Sequence, residues 1–340
     1  MACMSAPADV LTAARSGDAD AFERLVGPYR GELLAHCYRM LGSLHDAEDS
    51  VQETYLRAWR GFAEFEGRSS VRTWLYRIAT NRCLNALRDR ERRPLAATQP
   101  SDGPVLPEPS RIGEVTWLEP YPDALLEQID DPAPGPEARV ESRESISLAF
   151  ITAVQTLPPR QRAILLLRDV LGFRVAEISS MLETTDNAVA SGLKRARATL
   201  ASRPPGGRPP LPGSPAEQQV VSAFVTAFED GDVPALVTLL TDDAWLTMPP
   251  LPAEYQGHAA IAAFFATLGF QGGRRQYRLI PTRANGQPAF GRYERDPRAR
   301  IAHAHGLTVL SLDQGKIAQI TSFLDTSLFA HFGLPRTLPD

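Results

Sequence analysis

The sequence predicts a multidomain protein in which two all-α domains precede a third domain of mixed α and β structure. Apolar residues recur at helical spacing over residues 6–93 and again over 140–202, and a Pro-rich stretch follows each segment. Beyond residue 215, helical segments give way to strand-like segments joined by NGQ and DQG turns. A length of 340 residues is sufficient for two or three domains.

Composition gives a first set of limits on function. The net charge of −4 taken alone argues against a nucleic-acid partner, but arginines concentrate at 68–93 whereas acids concentrate in 94–139. Cys3, Cys37 and Cys83 have neither paired nor metal-ligand spacing, so we expect reduced thiols and no metal or other cofactor. Neither a signal peptide nor a run of ~20 apolar residues is visible, which predicts a cytoplasmic protein without a membrane partner.

The first domain begins with short helical segments. Residues 6–17 predict a helix, and Asp18 or Asp20 can cap the next one. A broad apolar face follows over residues 21–42, interrupted by Pro28, which can kink the helix. Gly42 is suited to end this helix and Ser43 to cap its successor.

Two helices of opposite chemical character follow Ser43. The first, LHDAEDSVQETYLRAW, has a buried stripe at helical spacing and an acidic side. The second, SVRTWLYRIATNRCLNALRDRERR, carries many arginines between its apolar positions. This contrast predicts one basic and one polyanionic partner, although two merely solvated helices would show the same charges.

The stretch from DAEDSVQETYLRAW to FEGRSSVRTWLYRIATNRCLNALRDRERR resembles region 2 of bacterial sigma-70-type factors of the extracytoplasmic-function (ECF) group. The resemblance implies that the acidic helix docks on a coiled coil of the RNA polymerase β′ subunit through Asp46, Asp49, Gln52 and Glu53. It also implies that the basic helix opens and reads the −10 promoter element as single-stranded DNA. The residues expected at that DNA are Arg72, Trp74, Tyr76, Arg77, Asn81 and Asn85, with the loop 65–70 able to hold a flipped base. Core packing is the better interpretation of Trp74, which is also one of the inner apolar positions of the basic helix.

Residues 94–139 differ from both flanking segments. Ten of these 46 residues are proline, and nine acids face two arginines, which predicts an extended linker. Its WLEPYPD segment resembles a linker motif of ECF factors that carry an extra C-terminal domain. The resemblance implies that this segment contacts that domain through Trp117, Leu118, Pro120 and Tyr121. The alternative is a spacer with incidental aromatic residues.

Residues 140–202 predict a second helical domain that ends in a helix-turn-helix, VAEISSMLE, TTD and NAVASGLKRARATL. The pattern resembles sigma region 4, whose second helix enters the major groove at the −35 element. Ala190 and Gly192 stand where many ECF factors have basic residues on either side of the serine. We therefore expect base contacts from Asn187, Ser191 and Lys194, and phosphate contacts from Arg195 and Arg197.

After a Pro/Gly linker at 203–215, residues 216–335 predict three helices followed by a curved antiparallel sheet. This pattern resembles the SnoaL-like, NTF2-type cone fold, a fold that often encloses a pocket. The expected lining residues are Trp245, Met248, Tyr255, Phe264, Tyr277 and Tyr293. Acid–base candidates are Asp243, His303 and His305, the two histidines being expected on one side of a strand. No nucleophile motif or phosphate loop accompanies them, so we expect no catalytic residue and no enzyme, and leave a small ligand open.

These resemblances together imply a sigma factor that binds the β′ and β subunits of core RNA polymerase, recognises promoter DNA and opens the start site. We further expect the fused C-terminal domain to regulate activity by contacting the linker near 117–123, so that no separate anti-sigma factor is required. Two alternatives remain. One is a DNA-binding regulator that acts without polymerase, and the other is a pocket enzyme fused to a DNA-binding sensor.

Overall fold

The computed structural model describes residues 8–92, 107–113, 118–127, 145–201, 210–296 and 298–339. The chain divides into two units. The first contains Met1–Leu95 and Leu125–Pro204, and the second contains Ala96–Ala124 and Pro205–Asp340.

The N-terminal part of the first unit is all-helical. Its helices are α1 Ala8–Arg15, α2 Ala19–Val26, α3 Arg30–Leu41, α4 Leu44–Gly61 and α5 Val71–Arg92. The caps are those expected from the sequence: Asp18 Oδ1 accepts a hydrogen bond from Ala21 N at 2.9 Å, and Ser43 Oγ accepts one from Asp46 N at 3.1 Å. Gly42 ends α3 in the left-handed conformation, at φ +75°. Pro28 lies in a 3₁₀ turn that separates α2 from α3.

The linker contributes a strand and a helical turn, and a second helical bundle follows. The strand is β1 Arg111–Ile112 and the turn is α6 Asp123–Leu126. The bundle comprises α7 Leu148–Gln155, α8 Pro159–Leu165, α9 Val175–Met181 and α10 Asp186–Ala201. A π-helical turn over Leu166–Val170 extends α8. Helices α9 and α10 form the predicted helix-turn-helix.

A buried arginine joins the two helical parts of the first unit. Arg162 is 4% exposed and donates hydrogen bonds to the carbonyl oxygens of Gln155 at 2.7 Å, Leu157 at 3.2 Å, and Met40 near the end of α3. Arg39 donates from Nε to Ser145 O at 3.0 Å. Burial lowers the pKa of Arg162 to about 10, and the carbonyl oxygens compensate for the water that its guanidinium has lost.

The second unit is built on a mixed sheet packed against helices α11 Pro215–Glu229, α12 Val233–Thr238 and α13 Gly257–Phe264. Its remaining strands are β2 Leu240–Met248, β3 Leu251–Gln256, β4 Tyr277–Ala284, β5 Gln287–Asp296, β6 Ile301–Asp313, β7 Lys316–Phe323 and β8 Thr337–Pro339. The described strands follow the order β1-β3-β2-β7-β6-β5-β4, and β8 pairs with β6. The inner face of this sheet carries the hydrophobic core, which includes Phe224, Phe228, Ile261, Phe264, Phe290, Leu310 and Ile320.

The NTF2-type α+β prediction is confirmed, but the expectation of an antiparallel sheet was wrong. Strand β2 runs parallel to β7, with Leu246 opposite Ile320, so the sheet is mixed. The parallel pairing joins residues more than 70 positions apart in sequence, and a connection of that length leaves no turn signal from which strand direction could be read. Strand β3, whose segment LPAEYQ contains an early proline, was not predicted either.

Candidate nucleic-acid interface

Helix α4 presents the acidic residues predicted to face polymerase. Asp49 and Gln52 are exposed. Glu53 accepts a hydrogen bond from Arg57 Nε at 2.7 Å, one helical turn away, and this bond lowers the pKa of the Glu53 carboxyl. Asp46 forms an ion pair with Arg90 of α5, so part of its charge is neutralised within the bundle. The exposed negative charge on this side of α4 therefore centres on Asp49, with the neutral Gln52 beside it.

The same helix exposes two large apolar side chains that sequence reasoning missed. Leu56 is 51% exposed and Trp59 is 38% exposed. Leu56 follows Gln52 by four residues and Asp49 by seven, the spacing of one helix face. The signal was available in the sequence, because both residues fall outside the buried stripe of α4. Together with Asp49 and Gln52 they form a mixed acidic and apolar surface, which we call the α4 docking face.

The basic helix α5 is less accessible than its composition indicates. Tyr76 is fully buried, and its hydroxyl donates to Glu32 Oε2 at 3.1 Å. Arg72 pairs with the same carboxylate, with Nε at 3.1 Å from Oε2. Burial raises the pKa of Tyr76 far above that of a free tyrosine, so this hydroxyl stays protonated. Tyr76 is thus a core residue whose ring is covered in this conformation.

Residues 173–183 of the second helical bundle cover part of α5. Phe173 packs edge-on against Tyr76 with ring centroids 5.2 Å apart, and the Arg72 guanidinium lies 4.8 Å from the Phe173 ring centroid. Asn81 Nδ2 donates to Met181 O at 3.4 Å, and Arg77 Nη2 lies 3.3 Å from Glu183 Oε1. Four of the six residues predicted at the −10 element are therefore buried or in contact with the helix-turn-helix domain.

Trp74 and Asn85 have local partners. The Trp74 ring packs against Phe62 and Phe65 at centroid distances of 5.6 and 5.1 Å. Asn85 Oδ1 accepts a hydrogen bond from Arg88 Nη1 at 3.3 Å. In the loop before α5, Phe65 is buried, whereas residues 66–70 are exposed. That loop is the most accessible part of the predicted −10 surface.

Helix α10 presents every residue predicted at the −35 element. Asn187, Ser191, Lys194, Arg195 and Arg197 are all exposed. Arg197 forms a bidentate pair with Asp169, at 3.0 Å from Nε and 2.6 Å from Nη2. This pair holds the guanidinium in place and raises its pKa. A phosphate would have to share or replace the Asp169 contact.

Helix packing explains why position 192 is a glycine. Gly192 is buried against α8, and a Cβ atom built there would lie 2.7 Å from Ile164 Cδ1. A side chain at this position would require the buried Ile164 side chain to move. Close helix packing therefore accounts for the absence of a basic residue at position 192, but not at position 190, because Ala190 is exposed.

The linker segment that follows residue 117 docks on the C-terminal domain within the second unit. Tyr121 is fully buried, and its backbone N–H donates to Asn285 Oδ1 at 2.8 Å. Asp123 Oδ1 accepts a hydrogen bond from Gly286 N at 2.8 Å, and Arg283 lies 3.4 Å from Asp123 Oδ2. Leu118 and Pro120 are buried too, whereas Trp117 lies outside the described residues.

An earlier part of the linker adds a strand to the same domain. Strand β1 pairs antiparallel with β3, with Arg111 opposite Glu254. Arg111 forms an ion pair with Glu254, and its guanidinium lies 4.8 Å from the centroid of the Trp245 ring. Tyr255 donates its hydroxyl hydrogen to Pro107 O at 3.1 Å. The linker is thus held at two places on the sheet.

The residues predicted to line a pocket are mostly core residues. Met248, Tyr255, Phe264 and Tyr277 belong to the hydrophobic core. Trp245 lies under Arg111, and Tyr293 packs against Phe329 with ring centroids 5.3 Å apart.

The acid–base candidates are dispersed. Asp243 and His303 are exposed, whereas His305 is partly buried beside Glu294, with Nδ1 at 3.1 Å from Oε2. A register shift between Arg292 and Tyr293 interrupts the strand alternation on which the shared side of the two histidines was predicted. Burial and the charges of Arg292 and Arg275 lower the pKa of His305 to about 3, so its ring is neutral and a weak base.

Within the described ranges, no group of three or more His, Cys, Asp or Glu side chains is arranged to hold a metal ion. Over the same residues, no helix combines the length and the apolar character needed to span a bilayer.

Comparison with known proteins identifies three regions. Residues 25–93 match the Sigma-70 region 2 model, residues 147–200 match the Sigma-70 region 4 model, and residues 221–320 match the SnoaL-like domain model. The three matches cover most of both helical bundles and most of the C-terminal domain.

Individual relatives agree with these models. The chain is 46% identical over 328 residues to the ECF RNA polymerase sigma factor SigG of Mycobacterium tuberculosis, covering 95% of this chain and 86% of the relative. It is 30% identical over 186 residues to the ECF RNA polymerase sigma factor SigW of Bacillus subtilis, covering 55% of this chain and 90% of the relative. The crystal structure of Mycobacterium tuberculosis SigJ, an extracytoplasmic function sigma factor, aligns with a TM-score of 0.57 at 25% identity, covering 93% of this chain and 99% of that one.

Proposed function

The chain belongs to the extracytoplasmic-function (ECF) family of RNA polymerase sigma factors, and from this premise we propose a function for each of its parts. The α4 docking face binds the β′ subunit of core polymerase. Helix α5 and the loop before it bind the −10 element, and α10 binds the −35 element. The C-terminal SnoaL-like domain regulates the assembly through the linker. The observation that carries this proposal is the presence of sigma-70 regions 2 and 4, in order, on one chain.

Polymerase binding through α4 rests on its mixed surface. Exposed apolar side chains such as Leu56 and Trp59 are typical anchors of protein interfaces, and the surrounding acids select a basic partner and speed association. A DNA-binding regulator that acts without polymerase would leave this surface without a role.

For α5 to melt the promoter, region 4 must first move away from α5. Unpaired bases bind by stacking on aromatic rings and by polar contacts to their edges. In the present conformation, Phe173 covers the Tyr76 ring, and Asn81 donates a hydrogen bond to the Met181 carbonyl oxygen. We infer that this conformation is closed and that the contacts of residues 173–183 with α5 break before the −10 strand binds.

Regulation by the C-terminal domain rests on the docked linker. Residues 107–113 and 118–123 belong to the linker that lies between regions 2 and 4 in the sequence. Their attachment to the SnoaL-like domain therefore restricts how far the two regions can separate. We infer that release of the linker favours the open form. This arrangement performs in one chain the task that a separate anti-sigma protein would otherwise perform.

We infer no catalytic role for the SnoaL-like domain. The histidine with the best-placed partner, His305, has its pKa lowered to about 3, too low for efficient general-base catalysis near neutral pH. Asp243 and His303 are exposed side chains on separate strands.

In vitro transcription tests the proposal. Core polymerase is assayed on promoters from the DNA upstream of this protein's own coding sequence, with the full chain and with an Asp49→Arg/Glu53→Arg variant. Initiation should depend on the full chain and fail with the variant, while Asp242→Arg/Asp243→Arg, a matched charge reversal at exposed positions of the C-terminal domain, should remain active. Failure of every form to initiate would favour a regulator that acts without polymerase.

Two further forms test the closed conformation and the regulatory domain. A short bifunctional thiol crosslinker between Arg77→Cys and Glu183→Cys, in a Cys3→Ser background, should abolish melting and leave polymerase binding intact. Deletion of 216–340 should change transcription. Unchanged transcription after the deletion would end the regulatory proposal, and melting by the crosslinked protein would end the closed-form proposal.

A further inference from the structure

The C-terminal domain contains a cluster of charged and polar residues at the edge of its hydrophobic core. It lies on β4, β5 and β6 and on Arg275 just before β4, toward the end of these strands opposite the turn at Asn285. Tyr277 contacts His305 with ring centroids 5.4 Å apart, and the Arg292 guanidinium lies 5.5 Å from the centroid of the Tyr277 ring. We call this set the Arg292 cluster; its members are Arg275, Tyr277, Arg292, Glu294 and His305.

The central member is a buried cation with few partners. Arg292 is 7% exposed. Its Nη1 reaches Ser322 Oγ at 3.5 Å, the outer limit of a hydrogen bond, and its Nε has no partner. None of the ion pairs formed by the described residues includes Arg292. A buried guanidinium is expected to be paired or fully hydrogen-bonded, whereas Arg292 feels the charge of Glu294 without an ion-pair contact to it.

The nearby carboxylate is already engaged. Glu294 accepts from Arg275, with Nε at 3.3 Å from Oε1, and from His305, with Nδ1 at 3.1 Å from Oε2. The His305 ring is neutral and brings no charge. Two guanidinium groups therefore face one carboxylate, which leaves one positive charge in excess.

A second unpartnered polar group faces the same side of the sheet. Thr308 lies opposite Ser322 in the β6–β7 register, and its buried Oγ1 has no hydrogen-bond partner. Ser322 is the residue that Arg292 reaches. The strand alternation places Thr308, Ser322 and Arg292 on the inner face, because Phe290, two residues before Arg292 and opposite Thr308, belongs to the core.

The cluster is reachable from solvent. The side chains of Arg275, Glu294 and His305 are 30%, 32% and 26% exposed, whereas Arg292 lies deeper. The register shift at Arg292 inserts His305 as an extra residue in β6, and such bulges often reorient side chains at binding sites. Three members of the cluster are thus partly accessible to solvent, whereas the central cation is buried.

We propose that the Arg292 cluster binds a small organic carboxylate. The guanidinium offers parallel N–H donors that match the two oxygens of a planar carboxylate, and such pairs are short and strong. The hydroxyl groups of Thr308 and Ser322 add neutral donors on the inner face. The carboxylate neutralises the excess positive charge and supplies the partner that Arg292 Nε lacks.

The test uses the full-length protein and a panel of acetate, propionate and benzoate, with chloride, sulfate and inorganic phosphate as the competing anions, at constant ionic strength. Isothermal titration calorimetry and thermal unfolding report binding. At least one carboxylate should bind saturably and raise the melting temperature. Arg292→Gln should weaken that binding by about tenfold or more, as expected for loss of a charge-assisted pair.

Two variants separate binding from folding. Arg274→Gln removes the same charge from an exposed neighbouring position and should leave binding unchanged. Arg292→Lys retains the charge but loses the paired donors, so it should weaken carboxylate binding even if Arg292→Gln fails to fold. The proposal is overturned if no carboxylate of the panel binds, if Arg292→Lys binds as the parent does, or if inorganic phosphate binds as tightly as the carboxylates.

Discussion

Tyr121 and Asn285 hold each other by two reciprocal hydrogen bonds. The Tyr121 N–H donates to Asn285 Oδ1, and the Asn285 N–H donates to Tyr121 O, both at 2.8 Å. Asn285 is 1% exposed and lies at φ +56°, in the turn between β4 and β5. Asparagine combines tolerance of this left-handed backbone with a side-chain acceptor, so this turn residue also receives the linker.

The first prediction concerns this pair. Asn285→Ala should release the linker, because it leaves the buried Tyr121 N–H without an acceptor and places alanine at a positive φ. The expected loss is about 1–3 kcal/mol from the unsatisfied donor. Hydrogen exchange of the Tyr121 amide measures the release, which should appear as faster exchange.

Asn285→Asp is the matched control, because aspartate keeps both the acceptor oxygen and the tolerance of the left-handed region. The Tyr121 amide should remain protected in this variant. Equal protection in Asn285→Ala and the parent would show that the reciprocal bonds do not hold the linker.

A second prediction concerns Gly192. Gly192→Ala gains about 1 kcal/mol of helix propensity but brings a methyl group to 2.7 Å from Ile164 Cδ1. Overpacking of this kind costs about 1–3 kcal/mol, so region 4 should be destabilised overall. Urea unfolding of the full chain measures the change.

The partner variant makes this prediction specific. Ile164→Val removes Cδ1, so Gly192→Ala should destabilise the Ile164→Val background less than the parent. A double-mutant cycle without coupling between positions 164 and 192 would contradict the packing explanation.

Local signals in the sequence were sufficient for most helices. Ser43, Asp18 and Gly42 act as caps or stops in the structure because capping depends on residues within one turn. The helix-turn-helix and the NTF2-type domain were likewise recognisable. The direction of β2 relative to β7 was not, because it depends on pairing between distant segments.

Long-range contacts explain the remaining differences at the candidate site. The resemblance placed Arg77 and Asn81 at the −10 element, but their partners Glu183 and Met181 lie 100 or more residues away in sequence. The close packing of Gly192 against Ile164 likewise joins residues on two different helices. No pattern within α5 or α10 alone carries that information.

A third prediction separates docking from folding on α4. Leu56 is 51% exposed, so Leu56→Ser should change the free energy of unfolding by no more than about 0.5 kcal/mol. The same change should weaken binding to core polymerase, because it removes an apolar anchor from the α4 docking face. Surface plasmon resonance with immobilised core polymerase measures the affinity.

Leu324→Ser is the control for this experiment, since Leu324 is 46% exposed in the C-terminal domain. It should bind core polymerase as the parent does. A Leu56→Ser variant with parental affinity would remove Leu56 from the docking face.

The last prediction concerns acid stability. His36 is fully buried, its Nε2 lies 2.9 Å from Thr80 Oγ1, and burial, aided by Arg39 and Arg72, lowers its pKa from 6.5 to about 3. The folded state therefore binds fewer protons than the unfolded state between these pH values. The stabilisation is complete above pH 6.5 and falls by about 1.4 kcal/mol per pH unit below it.

His305 acts in the same direction, so the measurement uses a His305→Gln background. Urea unfolding between pH 7.5 and 5 should show a shallower pH dependence for His36→Gln than for the exposed-site control His45→Gln. Parallel curves for the two variants would mean that His36 titrates alike in the folded and unfolded states.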